Sequence, residues 1–292
     1  MISIAIPTYN YNVYPLVREI DKQAKKSGVD YQILVYDDAS TKDFNLTELL
    51  SEFDKVTYKK LSKNIGRIAI RRLMAKDAKN DYILFIDADI FPTDRFFLTK
   101  LIKIMSQPAD VYFGGINVPK NPFNNERYLR WKYGKYRESK DVNKRKKDIY
   151  NSIICGALLI NKNVFLTDTD NFKNLNKYGL DIFMSYYLRK NKRKVIHYHN
   201  PVIHLGLEKN EHFLNKTRKA LETYRFIVKT FELTDLNKIT KIGSQCKKIL
   251  TSFLIHSIYK TIAPLLEKNL TSKRASLFLF DVYKLLYYCQ LK

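Results

Sequence analysis

Acid is what this sequence is short of. Against 52 Lys and Arg stand only 29 Asp and Glu, a formal net charge of +23 with a sequence pI near 9.7. Such an imbalance favours anionic partners: nucleic acid, an anionic membrane surface or phosphorylated small molecules. Cysteine is scarce as well. Cys155, Cys246 and Cys289 are odd in number, far apart and without a C-x-x-C pair, which argues against a disulfide framework or a zinc ribbon and for three reduced thiols. No stretch reaches the roughly twenty uninterrupted apolar residues of a membrane span. Neither a G-x-G-x-x-G nor a P-loop occurs, so the phosphate cradles that those motifs build are missing. Met1 runs directly into the apolar ISIAI rather than into a basic lead and a long apolar core, and the expectation is a cytosolic protein.

What is present is an ordinary globular composition, 45% hydrophobic and 28% charged over 292 residues, enough for one main domain and an appendage. The chain is organised around DYILFIDADIFP, Asp81 to Pro92. Tyr82 to Ile86 reads as a strand buried on both faces, and it ends abruptly at Asp87 and Asp89. In an open parallel α/β sheet this C-terminal strand edge is where ligands bind. Two carboxylates one residue apart repel unless a cation lies between them or one is protonated. Mg²⁺ or Mn²⁺, which takes carboxylate oxygens and commonly shares its site with a substrate's phosphates, is the natural occupant.

The same grammar recurs upstream. Ile2 to Ile6 is a short strand leading to PTYN, followed by an amphipathic helix over about Val13 to Lys26 that Ser27 and Gly28 stop. Tyr31 to Tyr36 is a second strand ending in Asp37-Asp38, and Val56 to Lys60 is a weak third one. Asn64-Ile65-Gly66-Arg67 opens a helix carrying Arg71 and Arg72 to about Lys79. Strands alternating with helices at this spacing predict a mostly parallel, Rossmann-like α/β sheet with helices on its faces.

IAIPTYN, LVYDDAS, NIGRIAIRR and FIDAD occur in this order over the first third of the chain, and together they resemble the family 2 glycosyltransferases of the GT-A fold. The resemblance implies an inverting transfer of a sugar from a nucleotide-diphosphate donor to a glycan or lipid-linked acceptor. It implies that Pro7, Tyr9 and one of Asp37 and Asp38 hold base and ribose, that Asn64, Gly66 and Ala88 line the same site, and that Arg71 reaches the phosphates. Asp87 would lie near the ribose and metal shell, and Asp89 would bind the divalent metal. Where the family often writes Ala-Arg-Asn, this chain has Ile70-Arg71-Arg72, which leaves Arg71 in place.

Val111 to Ile116 is a further expected strand, followed by a long basic, aromatic segment of little regular pattern, with 11 Lys or Arg against 4 Asp or Glu between Val118 and Tyr150. In the resembling family this is the acceptor side, where Trp131 and Tyr133, with Tyr136, would stack on sugar rings. The run Lys144 to Lys147 is either a solvated linker or a contact for a phosphorylated acceptor. Ser152 to Ile160 reads as another buried strand. Asp181, after Tyr178-Gly179-Leu180, stands where the family carries its catalytic carboxylate, commonly as Glu-Asp. Here Leu180 occupies the first of those positions, so Asp181 alone remains as the base that takes a proton from the attacking hydroxyl. In VIHYHNPVIHLGLE, His204 resembles the histidine many of these transferases offer to the metal, while His197 and His199 read as structural.

A helix over about Asn210 to Phe231 and a composition shift near residue 235 divide a GT-A catalytic domain, 1–235, from a helical region, 236–292. Within the first, 1–116 would bind the donor and 117–235 face the acceptor. The last 52 residues, from Lys241, hold 9 Lys or Arg and 2 Asp or Glu, and two apolar helical patterns, Ile249 to Ala263 and Leu277 to Leu291, flank Pro264 to Ser276. Basic residues around apolar helical faces suit a membrane interface, which would make the protein peripheral on an inner membrane face; equally they suit packing on the chain's own domain or on a second subunit. A sugar nucleotidyltransferase would carry a Gly-rich basic loop where this chain has PTYN. A nucleic-acid-binding protein has only the net charge in its favour, and the acids at the strand ends would repel its phosphates.

Overall fold

The computed structural model describes residues 1–173, 175–233, 236–249 and 251–291, with the backbone alone at Asp181, 247–249 and Ser252. By compactness the chain forms two units. The first comprises Met1–Val118, Glu138–Asn176 and Met184–Gly206, and the second Pro119–Arg137, Lys177–Phe183 and Leu207–Lys292.

The first unit is built on β1 (Ile2–Thr8), β2 (Tyr31–Asp37), β3 (Val56–Lys60) and β4 (Tyr82–Ile86). Their apolar side chains alternate between two cores, as period-two strands must when both faces are covered. Ile2, Ile4 and Ile6 of β1 join Leu84 and Ile86 of β4 against Leu16, Val17 and Ile20 of the helix Tyr14–Ser27. Ala5, Ile83 and Phe85 point the other way, with Ile70 and Met74 of the helix Arg67–Asp77. Each fully buried Ile or Leu contributes about 1.5–3 kcal/mol, and this double layer fixes the height at which β1, β2 and β4 end.

A short β5 (Ile90–Pro92) leaves the main sheet directly after β4; β6 (Val111–Phe113), β7 (Ile116–Asn117), β8 (Ala157–Asn161), β9 (Val195–His197) and β10 (Val202–His204) follow. The seven-stranded sheet runs β3-β2-β1-β4-β8-β6-β9, parallel except that β8 is antiparallel to both β4 and β6. This is the mostly parallel sheet with flanking helices that the alternation of elements predicts. A second sheet, β5-β10-β7, pairs His204 with Ile90 and Val202 with Pro92 in antiparallel register.

Four expectations are corrected. The strand over 111–116 breaks into β6 and β7, because Gly115, at a φ of 106° that side chains rarely adopt, turns the chain from one sheet into the other. The strand over 152–160 begins only at Ala157; Ser152 N donates to Asp148 O, so the preceding residues close a turn instead. The basic segment after β7 is not irregular throughout, since it contains the helices Tyr128–Tyr133 and Val142–Lys146, the latter capped by Asp141 accepting from Lys144 N. At the C-terminal end, Lys238–Ile249, Ser252–Leu270 and Leu277–Gln290 are three helices rather than two, and Pro264 lies inside the second. That helix continues past its proline because Ala263, Leu266 and Leu270 bury one face in the second unit's core, beside Leu129, Leu214, Phe280 and Tyr283. The expected helix after residue 209 is found at Asn210–Thr230. Among the described residues no helix is long and apolar enough to cross a membrane.

Candidate functional site

At the end of β4, Asp87 N donates to Gly156 O (2.7 Å) and Ile90 N to Asp87 O (3.1 Å), which closes a tight turn around Asp87-Ala88-Asp89. β10, paired with β5, carries His204 back to that turn: His204 Nε2 lies 3.1 Å from Asp89 Oδ2, and Leu205 N donates to Asp89 O at 2.8 Å. Gly206 completes the wrap, since a Cβ there would collide with the Asp89 carboxylate. Burial alone would raise the Asp89 carboxyl, but the hydrogen bond and charge of His204, with Arg67 behind them, hold it below the usual carboxylate range. Tyr11, in the loop after β1, has its hydroxyl pushed up by burial and by the charge of Asp89.

Asp87 is satisfied differently. Arg67 Nη2 donates to its Oδ2 at 2.7 Å, and Arg71 Nη2 engages its Oδ1. The two arginines differ in setting. The Arg71 side chain is 4% exposed and also donates to Arg67 O, whereas that of Arg67 is 43% exposed. The repulsion that two neighbouring carboxylates imply is thus relieved on separate sides, by guanidinium groups at Asp87 and by imidazole at Asp89. Arg67 is the residue that motif reading passes over: it stands inside NIGR, and only its place as first residue of the helix Arg67–Asp77 signals that it faces the strand ends.

The neighbouring strand ends supply the rest of this edge. Pro7 is half-buried at the end of β1, Tyr9 is exposed just beyond it, and Ala88 is half-buried in the turn. Asp37 and Asp38 are both buried. Asp37 accepts from Ser40 N (2.7 Å) and Tyr58 OH (3.2 Å), and Asp38 accepts from Ile65 N (2.7 Å) and Gly66 N (3.0 Å). Asn64 Nδ2 donates to Asp38 O, so Asn64 and Gly66 are tied to β2 through one aspartate. Both acids therefore shape the loops of the edge through backbone N–H groups.

Each of the other expected residues has its own surroundings. Trp131 is buried in the second unit; its Nε1 donates to Pro119 O at 2.8 Å and Lys135 lies over its ring. Tyr133 packs between Phe213 and Phe280 with Lys284 over its face. Both rings pack within the second unit, Tyr133 half-buried, and of the aromatic trio only Tyr136 is exposed. Arg145, from the basic run, is buried against the Phe113 ring and donates to Tyr198 O, while Lys144, Lys146 and Lys147 are exposed. His197 is buried with Nε2 on Ile149 O (2.8 Å), and burial pushes its ring's pKa down; His199 is exposed. Asp181 opens the helix Asp181–Lys190, and its side chain lies outside the described residues.

For a divalent ion, the donor set is a pair: among the described residues no group of three His, Cys, Asp or Glu converges. Asp89 Oδ2 and His204 Nε2, at 3.1 Å, have the separation of two adjacent ligands around an octahedral ion with bonds of about 2.1 Å. Such a pair fits an ion that completes its shell with phosphate oxygens and water, and imidazole favours Mn²⁺ over Mg²⁺.

The model of glycosyl transferase family 2 matches residues 3–165, a span that holds every strand end just described and stops short of β10. The chain belongs to glycosyl transferase family 2. This family 2 chain is 32% identical over 101 residues to an uncharacterized glycosyltransferase of Rickettsia felis, a match covering 34% of the chain and 16% of that protein. Among solved structures, S. aureus TarS residues 1–349 in complex with UDP-GlcNAc is similar at 15% identity and TM-score 0.50, over 98% of this chain and 90% of that one. A longer S. aureus TarS structure is similar at 18% identity and TM-score 0.48, over 76% of this chain and 39% of that one. The family 2 chain thus spans well under half the length of that Rickettsia protein and of the longer TarS structure. The likeness to TarS 1–349 shows the fold, the GT-A arrangement that the motif order implies.

Proposed function

We propose that this chain transfers a sugar, with inversion, from a nucleoside diphosphate donor to a hydroxyl of a glycan or lipid-linked acceptor. The observation that carries the reading is the meeting of His204 with Asp89 at a strand edge whose motifs belong to a sugar-transferring family. In the reaction the acceptor oxygen bonds to the anomeric carbon, the bond from that carbon to the β-phosphate oxygen breaks, and the nucleoside diphosphate departs. Asp181 takes the hydroxyl proton, since it is the one carboxylate left at the family's base position. Tyr9 and the loop that Asp37 and Asp38 hold bind the nucleoside, with Pro7, Asn64, Gly66 and Ala88 around it. Arg71 fixes Asp87, and Arg67 presents a guanidinium to the phosphates. Asp89 and His204 would hold Mn²⁺ or Mg²⁺, which neutralises charge building on the leaving diphosphate.

The test is a donor screen that measures nucleoside diphosphate release with and without Mn²⁺. UDP-GlcNAc is the first donor to try, because it is the molecule bound in the similar TarS structure. Metal-stimulated release from one nucleotide sugar is expected. Tight, metal-independent binding of free nucleoside diphosphate without turnover on any donor would overturn the proposal.

A further inference from the structure

The helix Ser252–Leu270 is two-faced. Ile255, Ala263, Leu266 and Leu270 are buried, while Phe253, Leu254, Ile262 and Leu265 are exposed, Phe253 at 82% and Leu265 at 70%. At 3.6 residues per turn, Leu254, Ile262 and Leu265 fall within an arc of about 80°, and Phe253 lies about 100° to one side of it, beside Lys260. Phe278, the second residue of the next helix, Leu277–Gln290, is 73% exposed. Large aliphatic and aromatic side chains grouped in water without a partner mark a docking surface.

Charge decides the occupant. Lys260, Lys268, Lys273 and Arg274 are exposed on and just beyond this helix. The only acids from residue 241 onward are Glu267 and Asp281, and both are neutralised: Glu267 pairs with Arg218 at 2.6 Å, and Asp281 with Arg137 at 2.6 Å and Lys284 at 2.7 Å. Among the described residues from 241 onward this surface is therefore apolar and cationic, with both of its carboxylates paired. A second copy would bring the same lysines against one another, and a nucleic acid would meet aliphatic side chains that its phosphates cannot satisfy. An anionic bilayer matches both halves, taking the side chains into its acyl boundary and the lysines at its headgroups.

We propose that the outward face of the helix Ser252–Leu270, with Phe278, docks this protein on an anionic lipid surface. The docking is independent of the transfer reaction and is read without substrate. The full chain is co-sedimented with vesicles of phosphatidylglycerol and phosphatidylcholine, and with vesicles of phosphatidylcholine alone. Two double variants are compared, Phe253→Ser with Leu265→Ser and Lys260→Glu with Lys268→Glu; all four positions are exposed, and circular dichroism checks that both variants fold. The expected result is binding to the anionic vesicles only, weakened roughly tenfold or more in either variant. Unchanged binding in either variant, or equal binding to neutral vesicles, overturns the proposal. So does a concentration-dependent dimer in sedimentation velocity that the apolar variant abolishes, since the face would then belong to a second copy.

Discussion

His204 Nε2 stands 3.1 Å from Asp89 Oδ2 although 115 residues separate them. The contact exists because β10 pairs antiparallel with β5, placing His204 opposite Ile90, the residue after Asp89. Replacing Asp89 by Asn is expected to abolish turnover while leaving the fold intact, because the carboxylate lies at a strand end rather than in the core. Calorimetric titration checks the cause: nucleoside diphosphate should bind the parent protein in a divalent-metal-dependent way and Asp89→Asn without that dependence. Near-parental activity in Asp89→Asn would refute the metal role.

Gly206→Ala tests the same contact without removing a ligand. Its Cβ has no room beside the Asp89 carboxylate, so Asp89 or the 204–206 segment must shift. Expected are an unchanged far-ultraviolet spectrum and a raised metal requirement, read as a higher Mn²⁺ concentration for half-maximal activity. A parental metal requirement would show that the position of this carboxylate is immaterial.

The two arginines at Asp87 should separate in their effects. Arg71 is buried, so Arg71→Gln removes a desolvated partner and is expected to lower unfolding stability by on the order of 3 kcal/mol in a urea titration. Arg67 is half exposed, and Arg67→Gln should leave the urea midpoint nearly unchanged while raising KM for the donor. Equal loss of stability in both variants would count against the division of roles.

Trp131→Ala separates packing from acceptor binding. With the indole buried and hydrogen-bonded to Pro119 O, truncation should cost about 3–5 kcal/mol in the same titration. A stable variant with a raised acceptor KM would restore the ring-stacking role that its place in the sequence suggests.

Asp181→Asn is expected to retain donor affinity, measured by titration, and to lose transfer by roughly two orders of magnitude or more. Collapse of donor affinity would make Asp181 a binding residue instead.

Where periodicity and local chemistry agree, the sequence was easily read. β1 to β4 and the helices Tyr14–Ser27 and Asn210–Thr230 follow from alternating or helical apolar patterns and nearby stop signals. The break at Gly114-Gly115 was harder to see, because a continuous apolar run does not reveal that two sheets share it. The burial of Trp131 is hidden for a similar reason: a tryptophan among lysines reads as exposed until its helix is packed. In the C-terminal helices, proline argued for a break, yet burial of Leu266 and Leu270 beyond it outweighs the lost backbone bond.

By itself the sequence determined β1 to β4 with the helices that follow β1 and β3, the family motifs and the placing of Asp37, Asp38, Asp87 and Asp89 at strand ends, because each depends on residues within a few positions of one another. Tertiary structure alone decided which partners those acids keep. Asp38 takes the N–H groups of Ile65 and Gly66, Asp87 takes Arg67 and Arg71, and Asp89 takes His204. Those choices follow from strand pairing and sheet crossing, which bring distant residues within hydrogen-bond reach and leave no trace in local sequence.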